Sequence, residues 1–164
     1  MAVKINTTIN GKKFCLEVKP NAMLNDVLRA AGFKSVKFGC GEGMCGACAV
    51  TINGKPRNSC ITLAGLAEGA EILTVEGMGT PETPHILQQA FVDSGSTQCG
   101  FCNPGSLMAA KALLDSNPNP TIDQVKDALD GNLCRCTGYV KRIDAVLTAA
   151  KAMGKTKKTA RGKK

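Results

Sequence analysis

The sequence predicts an α+β protein in two parts, an N-terminal sheet wrapped on one helix and a C-terminal region built only from helices. Up to residue 77, short runs alternate apolar and polar side chains and are separated by Asn-Gly pairs, the pattern of antiparallel strands. Beyond residue 84, the apolar spacing becomes helical. The Gly, Pro and Thr-rich segment between them is a linker. The expected divisions are a sheet domain at 1–77, a helical domain at 84–153 and a basic disordered tail at 154–164.

Two hairpins are predicted in the N-terminal part. VKINTTI at 3–9 and KKFCLEV at 12–18 flank Asn10-Gly11, and AVTI at 49–52 precedes Asn53-Gly54. Asn-Gly favours the type I′ turn because both central positions of that turn need a positive φ.

One helix and one further strand complete the predicted sheet domain. MLNDVLRAAG at 23–32 spaces its apolar side chains as a helix does and stops at Gly32. EILTVEG at 71–77 has the composition of a strand. These elements together predict a small mixed sheet packed on one helix.

Four helices are predicted after the linker. HILQQAFVDSG at 85–95 is the first, and Asn103-Pro104 opens the second with Asn as N-cap and Pro at the first helical position. Thr121 and Gln124 form a capping box that begins the third. GYVKRIDAVLTAAKAM at 138–153 is the fourth. Its predicted apolar face consists of Val140, Ile143, Val146, Leu147 and Ala150.

Eight of the nine cysteines fall into two quartets. The first is written C-GEGM-C-GA-C with a fourth thiol eleven residues later, which is the spacing of plant-type ferredoxins. Glycines in this loop give the backbone freedom to curl around a metal and let N–H groups approach the sulfurs. Structural zinc sites usually use two C-x2-C pairs, so this loop favours iron and sulfide over zinc. The first quartet is Cys40, Cys45, Cys48 and Cys60.

The second quartet is written C-GF-C, then C-R-C in the turn before the last helix. Its first pair lies just before a predicted helix N-terminus, where the helix dipole favours thiolate. Alone, this spacing is also compatible with a zinc clamp, but its position beside a ferredoxin-type loop favours a second [2Fe–2S] cluster. The second quartet is Cys99, Cys102, Cys134 and Cys136.

The remaining candidate side chains are assigned structural roles. Cys15 lies on a strand, where a plain structural thiol is expected and a regulatory one is the alternative. His85, the single histidine, is expected to cap a helix or lie on the surface, and one histidine excludes a Rieske centre, which needs two. Met44 is expected to fill space beside the cluster.

Charge and composition exclude several functions. The net charge of +8 is concentrated in the last fourteen residues, which hold seven cations and no acid. The rest of the chain is nearly neutral, and aromatic residues make up only 4%, so nucleic-acid binding is not expected. The basic tail is interpreted as solvated, with docking to an acidic partner as the alternative. No apolar run is long enough to span a membrane, no secretion signal is evident, and many cysteines without a signal indicate the cytoplasm.

Three motifs together resemble one family. CGEGMCGACAVTINGKPRNSC at 40–60, QCGFCNPG at 98–105 and GNLCRCTGY at 131–139 are similar to the small iron–sulfur subunit of molybdenum hydroxylases. This is the family of xanthine dehydrogenase, aldehyde oxidoreductase, carbon monoxide dehydrogenase, nicotinate dehydrogenase and 4-hydroxybenzoyl-CoA reductase. The resemblance covers roughly residues 3–152.

The resemblance implies a ferredoxin-like (β-grasp) domain followed by a four-helix bundle, each holding one [2Fe–2S] cluster. It also implies a large partner subunit with molybdopterin–Mo and the substrate, and a medium subunit with FAD, as a heterotrimer or a dimer of heterotrimers. Electrons would pass from molybdenum to the helical-domain cluster, then to the ferredoxin-type cluster and to flavin. Gln98 and Cys136 match family positions that approach the pterin.

Small departures from the family pattern lie after the C-GF-C motif. Asn103 replaces a common Thr, and Ser106 and Leu107 replace a frequent Met-Ile. None of these residues is expected to touch a ligand. Two other functions remain as alternatives, a free two-cluster ferredoxin that shuttles electrons between soluble partners, and a zinc-stapled binding module.

Overall fold

The computed structural model describes the backbone of residues 2–161 and the side chains of residues 2–154. Five strands form one mixed sheet in the order β2-β1-β5-β3-β4. Strand β5 pairs parallel with β1 and antiparallel with β3, so it joins the two hairpins at the middle of the sheet. The strands are β1 (Val3–Ile9), β2 (Lys12–Val18), β3 (Ala49–Ile52), β4 (Lys55–Asn58) and β5 (Glu71–Leu73).

Both predicted hairpins are present. Asn10 and Gly11 have φ of 52° and 77°, and Asn53 and Gly54 have φ of 50° and 76°. These positive values at both central positions are what the type I′ turn requires. The register places Val3 opposite Val18 and Ala49 opposite Asn58.

One helix, α1 (Leu24–Ala30), packs on the sheet. Its Leu24 and Leu28 are fully buried against Ile72 of the central strand. Gly32, with φ of 102°, follows the helix and turns the chain towards the cysteine-rich loop. Cys48 and Cys60 are buried in this same core, so the first quartet is built partly into it.

Four helices form the second part, and they surround one apolar core. They are α2 (Ile86–Asp93), α3 (Asn103–Ser116), α4 (Ile122–Leu129) and α5 (Val140–Arg161). The predicted capping box of Thr121 and Gln124 is present at α4. The sheet followed by these helices confirms the mixed α and β composition.

Three predicted details differ from the structure. The strand predicted at 71–77 ends at Leu73, and Val75–Gly77 forms a 3-10 turn. The N-cap position of helix α3 is Cys102, one residue before the predicted Asn103, and its side chain makes no capping hydrogen bond. Val140 is 67% exposed, because the buried face of α5 is rotated from the predicted one. That face consists of Arg142, Ala145, Val146, Ala149 and Ala150, and its small alanines let α2 pack closely. Val146 and Ala150 are thus buried as predicted, and Ile143 and Leu147 pack partly buried against the core.

The tail also differs. Helix α5 continues to Arg161, whereas the sequence predicts a disordered tail from residue 154. Ala, Lys and Arg are good helix formers, and cations near a helix C-terminus interact favourably with its dipole. Residues 162–164 lie outside the described part of the chain.

The two parts meet through α3, which packs against β3 and β4. Gly105 of α3 lies so close to the carbonyl oxygen of Gly46 that a Cβ at residue 105 would collide with it. The cysteine-rich loop therefore rests directly on the start of α3, which is also where the second quartet begins.

Candidate metal centres

Side chains of α1 hold the loop that carries the first quartet. Asn25 donates its Nδ2 hydrogen bond to the Lys37 carbonyl at 3.1 Å, and Arg29 donates to the Val36 carbonyl at 2.7 Å. On the other side, the buried Ser59 hydroxyl donates to the Cys48 carbonyl at 2.7 Å. The loop is thus tied to the helix before it and to the turn after β4, the turn that supplies Cys60.

Backbone N–H groups of the loop converge on the Cys40 sulfur. The Glu42 amide donates to Cys40 Sγ at 3.3 Å. Hydrogen bonds from the backbone lower the pKa of Cys40 to about 6, and the Glu42 amide contributes most, followed by the amides of Cys45 and Met44. Hydrogen bonds to sulfur stabilise thiolate, which is the form that binds metal. The glycine-rich loop therefore favours the thiolate form of Cys40.

Two thiols of the first quartet, Cys48 and Cys60, lie deeper in the protein than Cys40. Burial, followed by a hydrogen bond with the Cys48 thiol, raises the pKa of Cys60 to about 11. Cys48 and Cys60 are buried, whereas Cys40 and Cys45 are partly exposed. Gly39 lies beside the outer pair, where an added Cβ would meet Cys45 Sγ at 2.7 Å. The quartet thus has an inner pair and an outer pair.

The second quartet comes together at the start of α3. Cys136 Sγ lies 3.6 Å from Cys99 Sγ, although 37 residues separate them. The Phe101 amide, followed by the Cys136 thiol, lowers the pKa of Cys99, while the Cys99 thiol raises the pKa of Cys136. Cys99 and Cys136 are exposed and form the outer pair.

Cys102 and Cys134 form the inner pair of the second quartet. Burial raises the pKa of Cys102. The Cys102 thiol also interacts with the Cys134 thiol and with the guanidinium of Arg142. Burial also acts to raise the pKa of Cys134, but hydrogen bonds, first from Thr137, outweigh it and lower that pKa to about 7. Tyr139 holds the turn, because its hydroxyl oxygen accepts from the Cys134 amide at 2.7 Å.

The two quartets match a two-iron cluster better than a single ion. All nine cysteines lie among the described residues and none forms a disulfide. A [2Fe–2S] cluster with four thiolates gives each iron two of them, so it suits thiols that approach in pairs. The residues present therefore fit the group that the spacing predicts.

A hydrogen bond connects the two quartets. The Leu133 amide, next to Cys134, donates to the carbonyl oxygen of Cys45 at 3.0 Å. One ligand of each quartet is therefore joined to the other through a few covalent bonds and one hydrogen bond. This arrangement suits the passage of electrons between two centres.

Comparisons with known proteins agree with this architecture. Residues 7–72 match the 2Fe-2S iron-sulfur cluster binding domain family, and residues 74–147 match the [2Fe-2S] binding domain family. The nicotinate dehydrogenase small FeS subunit of Eubacterium barkeri is 48% identical over 88% of this chain and 92% of its own length. The xanthine dehydrogenase iron-sulfur-binding subunit of Escherichia coli O157:H7 is 45% identical over 91% and 95%. The chain belongs to the small [2Fe–2S] subunits of the molybdenum hydroxylase family.

A solved structure agrees with this family assignment. The crystal structure of quinoline 2-oxidoreductase from Pseudomonas putida 86 superposes with a TM-score of 0.89 at 43% identity, covering 94% of this chain and 97% of that one. The family resemblance predicted from the motifs is confirmed. As a small iron–sulfur subunit with two [2Fe–2S] domains, the chain is an electron-transfer subunit of a multi-subunit oxidoreductase, and a free-standing ferredoxin is not favoured.

Other residues singled out in this iron–sulfur subunit have clear positions. His85 caps α2, where its Nδ1 accepts from the Leu87 amide at 3.1 Å and Gln88 completes a capping box. Met44 is 69% exposed beside the first quartet rather than filling buried space. Gln98 is exposed next to the outer pair of the second quartet, and Cys15 is exposed on β2. No described helix has the length and apolar character needed to cross a membrane.

Arg142 was missed by the analysis of the sequence. It is 1% exposed and donates from Nη2 to Cys102 Sγ at 3.0 Å. The signal was its spacing, because Arg142 shares the i, i+3, i+4, i+7 face of α5 with Ala145, Val146 and Ala149. A cation on the buried stripe of a helix requires a partner, and here that partner is a predicted cluster ligand.

Proposed function

We propose that this subunit passes electrons between molybdopterin–Mo in a large partner subunit and FAD in a medium partner subunit. When bound, each [2Fe–2S] cluster supplies a one-electron redox centre. The observation that carries the proposal is the pair of thiol quartets joined by the bond from the Leu133 amide to the Cys45 carbonyl. Family membership supports a large molybdenum-containing partner. A heterotrimer, alone or as a dimer, is the assembly that this electron path requires.

The proposed ligands of the ferredoxin-type cluster are Cys40, Cys45, Cys48 and Cys60. Those of the helical-domain cluster are Cys99, Cys102, Cys134 and Cys136. Thiol contacts support a pairing in which Cys99 shares one iron with Cys136, because their sulfurs lie 3.6 Å apart. We assign the sheet domain to 1–77 and the helical domain to 84–153, with the linker between them.

The exposed end of the second quartet is the proposed approach to molybdopterin. Cys99 and Cys136 are exposed and Gln98 lies beside them. Exposed thiols at a cluster would give solvent access to the metal unless a partner covers them. Gln98 would then present an amide, which both donates and accepts hydrogen bonds, to a polar cofactor of the large subunit.

Exposed apolar side chains around the two loops support burial against partners. Phe38 and Met44 are 57% and 69% exposed beside the first quartet, and Phe101 and Leu133 are 48% and 56% exposed beside the second. Large apolar side chains clustered on a surface are typical of protein interfaces. We assign the subunit to a reducing compartment, the cytoplasm, because its eight proposed ligand thiols must stay reduced until they bind iron and sulfide.

Replacement of single ligands tests this function. Purified protein should contain about four irons per chain with acid-labile sulfide, two for each cluster. Cys48→Ala should remove the ferredoxin-type signal in electron paramagnetic resonance (EPR) and leave the other, and Cys136→Ala should do the reverse.

Cys15→Ala is the matched control, because Cys15 lies on a strand outside both quartets and should leave both signals unchanged. Zinc in place of iron would overturn the proposal, as would loss of neither signal in the two ligand variants.

A further inference from the structure

We propose that Arg142 sets the reduction potential of the helical-domain cluster by holding a buried positive charge against its ligand Cys102. This inference rests on the proposed ligation by the second quartet. Arg142 is a positioning and charge-supplying residue of the electron path, and no motif of the sequence marks it. Its role follows from four features of its surroundings.

The guanidinium is buried and held in one orientation. Nη1 donates to Ser106 Oγ at 2.9 Å, and Nη2 donates to Asn103 Oδ1 at 2.9 Å and to Cys102 Sγ at 3.0 Å. Ser106 is itself 1% exposed. A planar guanidinium anchored by two neutral oxygens is fixed so that its third contact meets the sulfur.

The charge of Arg142 lacks a carboxylate partner. The two salt bridges among the described side chains are Lys111–Asp115 and Lys126–Asp123, and neither involves this guanidinium. Its Nε is buried without a hydrogen-bond partner. A buried cation is costly unless it is paired, so the fold places Arg142 where an anion is needed.

Two helix termini increase that need. Arg142 lies in the first turn of α5, and Cys102 occupies the N-cap position of α3. The N-terminal end of a helix carries partial positive charge, which disfavours a cation and favours an anion. A metal-bound Cys102 thiolate is the anion that the position supplies.

Reduction strengthens this interaction. A [2Fe–2S] cluster with four thiolates is negatively charged, and the added electron makes it more so. A desolvated cation and a hydrogen bond to a ligand sulfur both stabilise the reduced state, and both raise the potential. Among the described side chains, no Lys or Arg donates a hydrogen bond to a sulfur of the first quartet, so the effect should be confined to one cluster.

The guanidinium is received by two of the three residues that the sequence analysis set apart from the family pattern. Asn103 and Ser106 each supply an oxygen to Arg142. The expectation that these departures touch no ligand is therefore incomplete, because they reach Cys102 through Arg142. Asn103, Ser106 and Arg142 form one hydrogen-bonded unit beside the sulfur, in which Ser106 and Arg142 are buried and Asn103 is half-buried.

An EPR-monitored redox titration of the cluster-loaded full chain tests the proposal. Arg142→Met should lower the midpoint potential of the helical-domain cluster by about 59 mV or more, a tenfold change in its reduced-to-oxidised ratio at fixed potential. The ferredoxin-type cluster of the same molecule should not move. Lys141→Met is the control, because it removes an exposed charge from the adjacent residue, where solvent screens it.

If Arg142→Met loses its cluster, a second variant and a measurement on the unaltered chain still test the proposal. Arg142→Lys keeps the charge without the planar fork and should give a smaller shift of the same sign. In the unaltered chain labelled with ¹⁵N only at the guanidinium nitrogens of arginine, which leaves out the backbone nitrogen of Arg135 between Cys134 and Cys136, pulsed EPR should detect a coupling between the reduced helical-domain cluster and a guanidinium nitrogen. Arg142→Lys should abolish that coupling.

Several outcomes would overturn the proposal. These are an unchanged potential in Arg142→Met, an equal shift in both clusters, a shift as large in Lys141→Met, or no nitrogen coupling in the unaltered chain. Failure of the proposed function itself would be distinct, since the unaltered chain would then contain no iron and give no EPR signal to titrate.

Discussion

At the contact between the two cysteine loops, glycines leave no room for a side chain. Gly46 has φ of 67°, and an added Cβ would collide with the Gly131 carbonyl oxygen. Gly105 would collide with Gly46 in the same way. The closeness of the two backbones is what allows Leu133 to reach the Cys45 carbonyl. The close approach of the two quartets thus depends on the absence of side chains at these glycines.

Replacing Gly46 with Ala should destabilise the protein strongly. A positive φ costs an L-residue about 1–2 kcal/mol, and overpacking against a backbone oxygen adds about 1–3 kcal/mol. Gly54→Ala is the matched control, with φ of 76° and nothing within 4 Å of the new Cβ. Urea unfolding of both variants measures the difference, and equal losses would show that the contact between the loops contributes nothing.

The hydrogen-bond donors nearest the sulfurs come either from the same loop or from a distant part of the chain. The amides that stabilise the Cys40 thiolate come from its own loop, and the glycine-rich sequence predicts them. Arg142 reaches Cys102 across 40 residues, and only the tertiary structure brings the start of α5 to the start of α3. Local donors can be predicted from a motif, whereas a donor on another helix cannot.

At the scale of elements, caps and turns position the loops. Helix α2 follows the linker and begins at a capping box in which His85 Nδ1 accepts from the Leu87 amide and the Gln88 side chain accepts from the His85 amide at 2.8 Å. Caps that satisfy free amides stabilise a helix start by about 1 kcal/mol. This cap is unusual because its acceptor can be protonated.

The cap of α2 should weaken in acid. Burial, followed by the charge of Lys111, lowers the pKa of His85. Because the folded-state pKa is the lower one, the stabilisation is complete above the ordinary value of about 6.5 and is lost as the pH falls through the folded pKa. Protonation removes the Nδ1 acceptor, so thermal unfolding should shift to lower temperature between about pH 7.5 and pH 5.5.

His85→Asn separates this effect from general acid sensitivity. Asn is a good N-cap that does not titrate in this range, and the chain has one histidine. The variant should lose less stability than the parent over the same pH interval. Parallel curves for the two proteins would contradict a titrating cap.

At the scale of the whole molecule, the sheet and the helices pack together so that both quartets lie where the two parts meet. Helix α3 packs on β3 and β4, and its N-terminus holds Cys102. The sheet region builds one quartet partly into its own core, while the outer thiols of the second quartet remain exposed. This asymmetry suits a subunit whose helical end is completed by a partner.

Phe101 should contribute to the interface with the large subunit. It lies between Cys99 and Cys102 in the sequence and is 48% exposed. Phe101→Gln should therefore weaken capture of the large chain about tenfold or more without loss of iron. Ile122→Gln, at a 53% exposed site at the start of α4, is the control and should bind normally.

Co-purification with affinity-tagged subunit measures the binding of these variants and also separates two functions. A subunit should bring down two larger chains with molybdenum, whereas a free ferredoxin should bring down neither. Equal capture by the Phe101 and Ile122 variants would place the interface elsewhere.

By itself, the sequence determined the features that depend on neighbours along the chain. The spacing of Cys40, Cys45 and Cys48 predicts the chemistry of the first centre, Asn-Gly pairs predict both hairpins, and Thr121 with Gln124 predicts the start of α4. Turn and cap energies come from contacts within a few residues, so a motif contains the information that they need.

Only the tertiary structure decided which distant groups share an environment. It brought Cys99 to Cys136, joined Leu133 to Cys45, and rotated α5 so that Arg142 rather than Val140 faces inward. The side of α5 that is buried is set by the close packing of its small alanines on neighbouring helices rather than by contacts within the helix. Because Arg142 is buried, water screens its charge little. Its charge therefore acts on the Cys102 sulfur more strongly than that of an exposed cation would.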